Sequence, residues 1–576
     1  MNSPPLPIRT TNQRLVAFCA GALLVFGLLW ARCAWLQVLG AGRLEKLARA
    51  QHQIAYPLLA QRGTIYDAQG RVLAFSARMS SVFANPRQVA VKREAAARLA
   101  GATGRDLRVI AARLNRDKGF VWIARKVEPE VTGRVAQLRT AGVGVVEEPQ
   151  RIYPQGALAS HLLGFADIDQ KGLEGLELAF NGVLQGRSGW LSTLRDAKGD
   201  QLIGPWTVQT SPQPGLEMVL TIDSVVQEVA EEALAWGVKR FRAKGGSVII
   251  MEPHTGRILA MANHPEFDPN HPAHAAVDAR RNRAVTDLAE PGSVFKIVTA
   301  SALLEEGLAT PEERVFCEYG NYKTVGRHVL HDHRPHGWLT FHEVIQFSSN
   351  IGTAKLASRL SPETLDRYIR AFGFGRKTGI ECPGEVRGIV PPPSKWSKLS
   401  PYSIPIGQEV AVTPIQMAVM TAAIANGGWR VQPTIVDRIQ TADGEVVRTS
   451  QAHAPERILS RETTDRVERM LVDVVGSGTG QLANVQGLIV AGKTGTAQKL
   501  EPTGRYSHSL FVASFVGYGP VPDPKFVMVV SIDEPRPLYF GGVVAAPIFS
   551  RVVKGLTGYW DLKPSVEPAL IARLPS

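Results

Sequence analysis

Apolar and polar positions along this chain fall into three regimes. The first is one long apolar run. Leu15 to Ala31 carries no charge, Arg32 interrupts it, and CAWLQVL continues to Leu39. A helix over Leu15–Leu39 is long enough to cross a bilayer, which takes roughly 20 residues at about 1.5 Å rise each. Arg32 near its end can snorkel to headgroups, and Trp30 and Trp35 suit an interface. Arg9 and Arg14 precede the run and no acid does, which favours a cytoplasmic N-terminus, although Arg43, Lys46 and Arg49 follow on the other side. The other reading is a cleaved signal peptide. The run is long for a signal h-region and no small-x-small site follows it, so an uncleaved anchor is expected. Nearly everything after residue 40 is then expected outside the cytoplasm.

The second regime, to about residue 215, mixes short elements. Residues 40–60 can extend the anchor helix, with Leu44, Leu47 and Ala48 on one face. QRGTIYDAQGRVLA (61–74) predicts a β-hairpin, Ile65 and Val72 flanking a turn at Asp67–Gly70. Residues 90–140 place Ala, Arg and Leu at helical spacing, and Gly172–Gly189 alternates helical and turn signals. Ser211-Pro212-Gln213-Pro214-Gly215 has loop composition and marks a boundary.

The third regime begins with a strand ending near Ile222 and a helix capped by Asp223 or Ser224. Residues 245–262 read as strand, turn, strand. Helices dominate 286–430, broken by a loop at Pro391-Pro392-Pro393. Three further strands are expected at 491–498, 511–519 and 525–532. Strands at both ends with helices between predict an α/β domain, a mixed sheet flanked by helices.

Composition adds bounds. A chain of 576 residues suggests two to four folded units. Its 44% hydrophobic and 20% charged residues are ordinary for a globular protein. The formal charge of +13 comes without a dense Lys/Arg block or a nucleic-acid motif. Lipid headgroups or an anionic wall polymer therefore fit better than nucleic acid. Cys19, Cys33, Cys317 and Cys382 show no metal-binding spacing. They read as free thiols, with a Cys317–Cys382 disulfide as the alternative in an oxidising compartment.

Candidate chemistry sits in three ordered motifs: Ser293-Val294-Phe295-Lys296, Ser348-Ser349-Asn350 and Lys493-Thr494-Gly495-Thr496. Singly they are weak. SxxK and SxN each arise by chance roughly once or twice in such a chain, and KTG in roughly one such chain in ten. Order and spacing make the set specific. Pro291-Gly292 followed by an apolar run predicts a helix start, with Ser293 in its first turn and Lys296 one turn above. A serine hydroxyl needs a base to take its proton, and a lysine amine can be that base only if burial or a second cation lowers its pKa. Lys493 is the candidate cation. Ser348 can relay a proton, and Asn350 can hold Lys296 and a substrate amide. Lys493, Thr494 and Thr496 can bind a carboxylate at an edge strand, and Gly495 leaves room for a peptide alongside. The amides of Ser293 and Thr496 are candidate oxyanion donors. The bland readings are an exposed helix start, a polar helix terminus and a β-turn.

The set resembles the SxxK, SDN and KTG motifs of penicillin-binding proteins and class A β-lactamases, with SSN in the middle. Arg62-Gly63-Thr64-Ile65-Tyr66-Asp67 with Gly70 is similar to the RGxIxDxxG opening of the pedestal domain of class B penicillin-binding proteins. Arg151-Ile152-Tyr153-Pro154 and Gly172-Leu173-Glu174-Gly175 resemble later pedestal motifs, and Leu220-Thr221-Ile222-Asp223 the entry to the transpeptidase domain. The short tail, ARCAWLQVL and YFGGVVAAPIF (539–549) are most similar to the septal member.

The resemblance implies a penicillin-binding/serine-transferase fold on an elongated α+β pedestal. Its expected parts are a cytoplasmic tail at 1–14, a transmembrane helix at 15–39, a pedestal at 40–215, a transpeptidase domain at 216–563 and a tail at 564–576. It implies a D,D-transpeptidase of the inner (cytoplasmic) membrane. Ser293 would attack the carbonyl before the terminal D-Ala of a stem peptide, D-alanine would leave, and a neighbouring stem amine would resolve the acyl-enzyme. β-Lactams would acylate Ser293. No cofactor is implied. Without a glycosyltransferase domain, a SEDS-type glycan polymerase and other divisome membrane proteins are the implied partners.

His328, His331, His333 and His336 raise a zinc site, against a polar loop at the cleft rim. No full ligand set can be matched, and no metal is expected. The rival functions are a D,D-carboxypeptidase or β-lactamase, an elongation-type transpeptidase, and a non-enzymatic divisome scaffold or β-lactam sensor.

Overall fold

The structure is a computed structural model that describes residues 8–39, 42, 53–195, 201–202, 208–326, 328–450, 454–501 and 505–564. The first half of the expected cytoplasmic tail, most of the predicted 40–60 helix extension and nearly all of the 564–576 tail lie outside the described residues. The chain forms two compact units, residues 1–60 with 187–213, and residues 61–186 with 214–576.

The first unit contains the helix Ile8–Ala34, continued by a π-helical turn at Trp35–Leu39. Among the described residues, Asn12–Val38 is the one helix long and apolar enough to cross a membrane. The Arg32 guanidinium lies over the Trp35 ring, 4.7 Å from its centroid, pairing the two residues suited to an interface. Strands Gln53–Leu58, Gly189–Arg195, Gln201–Leu202 and Val208–Thr210 make an antiparallel sheet, so the described end of the 40–60 stretch is a strand and not the expected helix extension.

In the second unit the predicted hairpin is present: Ile65–Tyr66 pairs with Val72–Ala84. Its turn is built by Asp67 Oδ1, which accepts from the amides of Gln69 and Arg71. Gly70 takes the left-handed φ of 79° that the turn requires. The 90–140 region contains helices Lys92–Thr103, Leu107–Leu114 and Pro129–Gln137, but also a strand, Val121–Val127. Val143–Ile152 is a further strand that the pattern did not announce. Both pair with Val72–Ala84, which cross-strand packing rather than helical periodicity decides.

A seven-stranded sheet joins these strands to Glu217–Leu220, Val436–Gln440 and Val446–Thr449. It is mixed, because Ile65–Tyr66 runs parallel to Glu217–Leu220. Residues 61–152 are thus hydrogen-bonded into the same sheet as strands of the C-terminal half. A buried network reinforces the region. Glu177, with no exposed side-chain surface, accepts from Arg151 Nε at 2.6 Å and from Arg62 Nε.

The five-stranded sheet runs in the order Ile258–His264, Gly245–Met251, Phe526–Asp533, Tyr506–Gly519, Ala491–Leu500, with every neighbour antiparallel. It is covered on both faces, so Gly245–Met251 is buried at every position. Val248 and Ile250 pack with helices Ser224–Arg240 and Ala546–Leu556, while Ile249 and Met251 join the core that contains Pro414–Ala425. This is the period-2 alternation of a strand. Asp223 caps the helix Ser224–Arg240, its Oδ1 accepting from the Val225 amide at 2.9 Å. Pro414–Ala425 is buried at every position, which explains why its sequence is apolar all round.

Candidate active site

Gly292–Phe295 forms a 3-10 turn, and the α-helix starts at Lys296. Ser293 therefore sits one turn before the regular helix rather than within its first α-turn. Gly292 has φ 53°, and a Cβ there would stand 2.9 Å from the Thr496 carbonyl oxygen. The serine turn packs against the KTG strand at a distance that only glycine tolerates. Ser293 itself is partly exposed among buried neighbours.

Ser348-Ser349-Asn350 starts the helix Asn350–Ala357, as a polar helix terminus would. Ser349 is its N-cap, Oγ accepting from the Gly352 amide at 2.9 Å. Ser348, one residue earlier, is held at φ 61°, a conformation that costs a non-glycine residue about 1 kcal/mol or more. That kink turns its hydroxyl toward two buried lysines. Lys493 Nζ donates to Ser348 Oγ at 2.9 Å and Lys296 Nζ at 3.3 Å. Lys296 Nζ also donates to the Ser348 carbonyl at 2.6 Å and to Asn350 Oδ1 at 2.8 Å.

Both amines are fully buried. Burial pushes the Lys296 pKa down to about 7, against the opposing pull of the Asp332 carboxylate. Lys493 is driven well below its ordinary range, first by burial and then by the charge of Lys296. Desolvation, not a neighbouring cation, is thus the main reason Lys296 can be neutral. Among the described residues the Ser293 hydroxyl has no hydrogen-bond partner, so the three motifs meet through Ser348 rather than through a direct Ser293–Lys296 bond.

Lys493-Thr494-Gly495-Thr496 lies on Ala491–Leu500, the edge strand of the five-stranded sheet. Thr494 Oγ1 and Thr479 Oγ1 are 2.8 Å apart, and Thr496 Oγ1 accepts from the Gly541 amide at 3.0 Å. A Cβ on Gly495 would lie 2.3 Å from Ser514 Oγ and 2.9 Å from the Pro291 carbonyl oxygen. The missing side chain lets the serine turn close on the strand, which is a packing reason for the glycine.

Asp332 is a site residue that the motif reading missed. Its Oδ1 accepts from the amides of Asn350 and Ile351 at 2.5 and 3.0 Å, and its Oδ2 from Ser349 Oγ at 2.6 Å. A carboxylate on the free amides of a helix N-terminus is stabilised by the helix dipole. Asn350 Nδ2 in turn donates to the His331 carbonyl at 2.8 Å. The histidine-rich loop therefore braces the SSN motif. Among the described residues no group of three or more His, Cys, Asp or Glu side chains could hold a metal ion. The only sequence signal was Asp332's place inside that loop, since nothing in local spacing links it to Asn350. Cys317 and Cys382 are buried free thiols, so the alternative disulfide is not formed.

Comparison with known proteins gives two matches to family models: the penicillin binding protein transpeptidase domain over residues 246–554, and the penicillin-binding protein dimerisation domain over 57–220. The chain is 34% identical to stage V sporulation protein D of Bacillus subtilis, over 96% of this chain and 87% of that protein. It is 31% identical to the peptidoglycan D,D-transpeptidase FtsI of Escherichia coli, over 96% and 93%. The crystal structure of penicillin binding protein 3 from Mycobacterium tuberculosis complexed with aztreonam superposes with a TM-score of 0.70 at 29% identity, covering 89% of this chain and 98% of that one.

Proposed function

Since this chain belongs to the class B penicillin-binding proteins, serine-type D-Ala-D-Ala transpeptidases of peptidoglycan, we propose that Ser293 is its acylated nucleophile and that Lys296, Ser348, Asn350 and Lys493 are its proton-handling and positioning groups. The observation that carries this reading is the convergence of Lys296 and Lys493 on the Ser348 hydroxyl.

Ser293 Oγ attacks the carbonyl carbon before the terminal D-Ala of a stem peptide, and its proton passes to the neutral Lys296 amine. The developing oxyanion is met by the amides of Ser293 and Thr496. Ser348 passes its hydroxyl proton to the leaving amine and is reprotonated by Lys296, which regains its neutral form, and D-alanine departs. The amine of a second stem then attacks the ester, forming the cross-link and freeing Ser293. Thr494, Gly495 and Thr496 form the strand edge that receives the peptide and its carboxylate. A β-lactam follows the same first step but keeps its opened ring attached.

We place the pedestal at 40–215 and the transpeptidase domain at 216–563, between a short cytoplasmic tail (1–14) with its anchor (15–39) and a C-terminal tail (564–576). The limits of the two family models, 57–220 and 246–554, support this division. The helix Asn12–Val38 supports a single-pass anchor. The basic residues before it favour an inner-membrane protein with its catalytic domain outside the cytoplasm. Similarity to FtsI along nearly the whole chain supports a septal role, with a SEDS-type polymerase and divisome proteins as partners.

Labelling with a fluorescent penicillin tests the nucleophile. Wild type is expected to label covalently and Ser293→Ala not at all. Labelling that survives the substitution rejects Ser293. Incubating the enzyme with stem peptide and an acceptor amine separates transfer from hydrolysis by the product formed.

A further inference from the structure

Beside the SSN motif lies an aromatic surface that the proposed chemistry leaves unused. Tyr319 and Trp338 are 68% and 58% exposed. Phe316 stands between them, its ring centroid 5.4 Å from each. Phe316 and Trp338 are cross-strand partners in the hairpin Arg314–Phe316/Trp338–Thr340. The rings are fixed in place. Glu318 and Tyr319 both hold left-handed φ, 50° and 47°, a strained geometry that the surroundings must enforce. The Tyr319 amide donates to the His336 carbonyl at 2.9 Å. The Tyr319 ring lies over Gly337, where a Cβ would stand 3.4 Å from it. Polar groups interleave with the rings: the Arg314 guanidinium is 5.8 Å from the Trp338 centroid, and Glu318 accepts from Lys355 at 2.5 Å.

This shelf is one contact away from the candidate site. Cys317 Sγ lies 3.4 Å from Ser349 Oγ. The His336 ring stacks on Phe347, the residue before Ser348, at 5.6 Å. The Asp332 amide donates to the Gly320 carbonyl at 3.1 Å.

We propose that the Tyr319–Trp338 shelf binds the N-acetylated sugar rings of the glycan strand that carries the stem peptide. The inference rests on the Ser293 reading above and adds a second part of the same substrate. The stem peptide joins the glycan to the scissile bond and reaches at most about 3.6 Å per residue, so a short stem brings the glycan to rest near the cleft. Exposed, rigid aromatic faces offer an apolar surface for the C–H face of a pyranose ring. Arg314 and Glu318 supply a donor and an acceptor for its hydroxyl and acetamido groups. A protein partner fits poorly, because a stable interface needs roughly 800 Å² per side around an apolar centre, and here two rings stand among charges.

The test titrates the full-length protein in detergent with the β-1,4-linked N-acetylglucosamine tetramer, following tryptophan fluorescence and calorimetry. Wild type is expected to bind, Trp338→Ala and Tyr319→Ala to lose affinity by about tenfold or more, and Trp338→Phe to retain most of it. Fluorescent-penicillin labelling of the same samples should be unchanged and certifies their folding. If Trp338→Ala fails to fold, Tyr319→Ala and Trp338→Phe carry the comparison. Wild type that ignores the tetramer, or alanine variants that bind it as wild type does, overturns the proposal. Loss of wild-type labelling with tetramer binding intact would reject the nucleophile instead and leave the shelf standing.

Discussion

Lys296 and Lys493 both donate to a single hydroxyl, that of Ser348, at 3.3 and 2.9 Å. Two amines cannot both stay charged when they share one neutral acceptor in a buried site, and burial lowers both. With its pKa lowered to about 7, the Lys296 amine is suited to take up a proton near neutral pH.

The acylation rate should follow the neutral fraction of Lys296. It is expected to rise with pH through about 7 and then level. Stability carries the same signature. Between about 7 and the ordinary 10.5 of an unfolded lysine, the unfolded chain holds a proton that the folded chain lacks, so stability rises with pH across that window. Lys296→Met should abolish penicillin labelling and reduce the slope of that part of the stability profile, to which Lys493 also contributes. Stopped-flow labelling and denaturant titration at several pH values measure both. A Lys296→Met protein that acylates at near wild-type rate contradicts the assigned base.

Asp332 should tune the site without touching substrate. Its carboxylate raises the Lys296 pKa, so Asp332→Asn should move the acid limb of the acylation profile to lower pH. Asp332→Ala also removes the acceptor for two helix amides and the Ser349 hydroxyl. It should cost about 1–2 kcal/mol of stability, as loss of a helix cap does. A midpoint that stays fixed in Asp332→Asn counts against electrostatic coupling between the two.

Gly495→Ala should slow acylation sharply by pushing the serine turn off the strand, since its Cβ would meet Ser514 Oγ and the Pro291 carbonyl oxygen. Adding Ser514→Ala relieves the first clash but not the second. The double variant is thus expected to recover part of the rate, and a double-mutant cycle reads the coupling. Strict additivity would show that the two positions do not press on one another.

Glu177 supports the pedestal side of its unit. It is buried between Arg62 and Arg151, so Glu177→Ala leaves two buried guanidinium groups short of their anion. The expected loss is about 3–5 kcal/mol. It would be seen as a lower melting temperature and early proteolysis within residues 61–186.

The thiols Cys317 and Cys382 should resist alkylation until the protein unfolds, and reductant should leave the melting temperature unchanged. A drop with reductant would mean a disulfide after all.

Much of this was legible in the order of residues alone. An apolar stretch long enough to cross a bilayer, here 15–39 with Arg32 as its one charge, must be helical in lipid to satisfy its own backbone, so the anchor segment is written locally. The hairpin at 61–74 and the strands at 491–498, 511–519 and 525–532 declare themselves by turn chemistry and apolar runs, which are short-range properties. The three motifs named the candidates for acyl transfer, because each residue type has only a few chemical uses. The strands Val121–Val127 and Val143–Ile152 went unseen because their cross-strand partner is distant in sequence. Asp332 was hidden for the same reason: it serves amides 18 and 19 positions away. Only the tertiary structure decided that Lys296 is buried, and that Ser348 rather than Ser293 receives its bond. Desolvation and hydrogen-bond geometry belong to the packed interior, and no stretch of sequence contains them by itself.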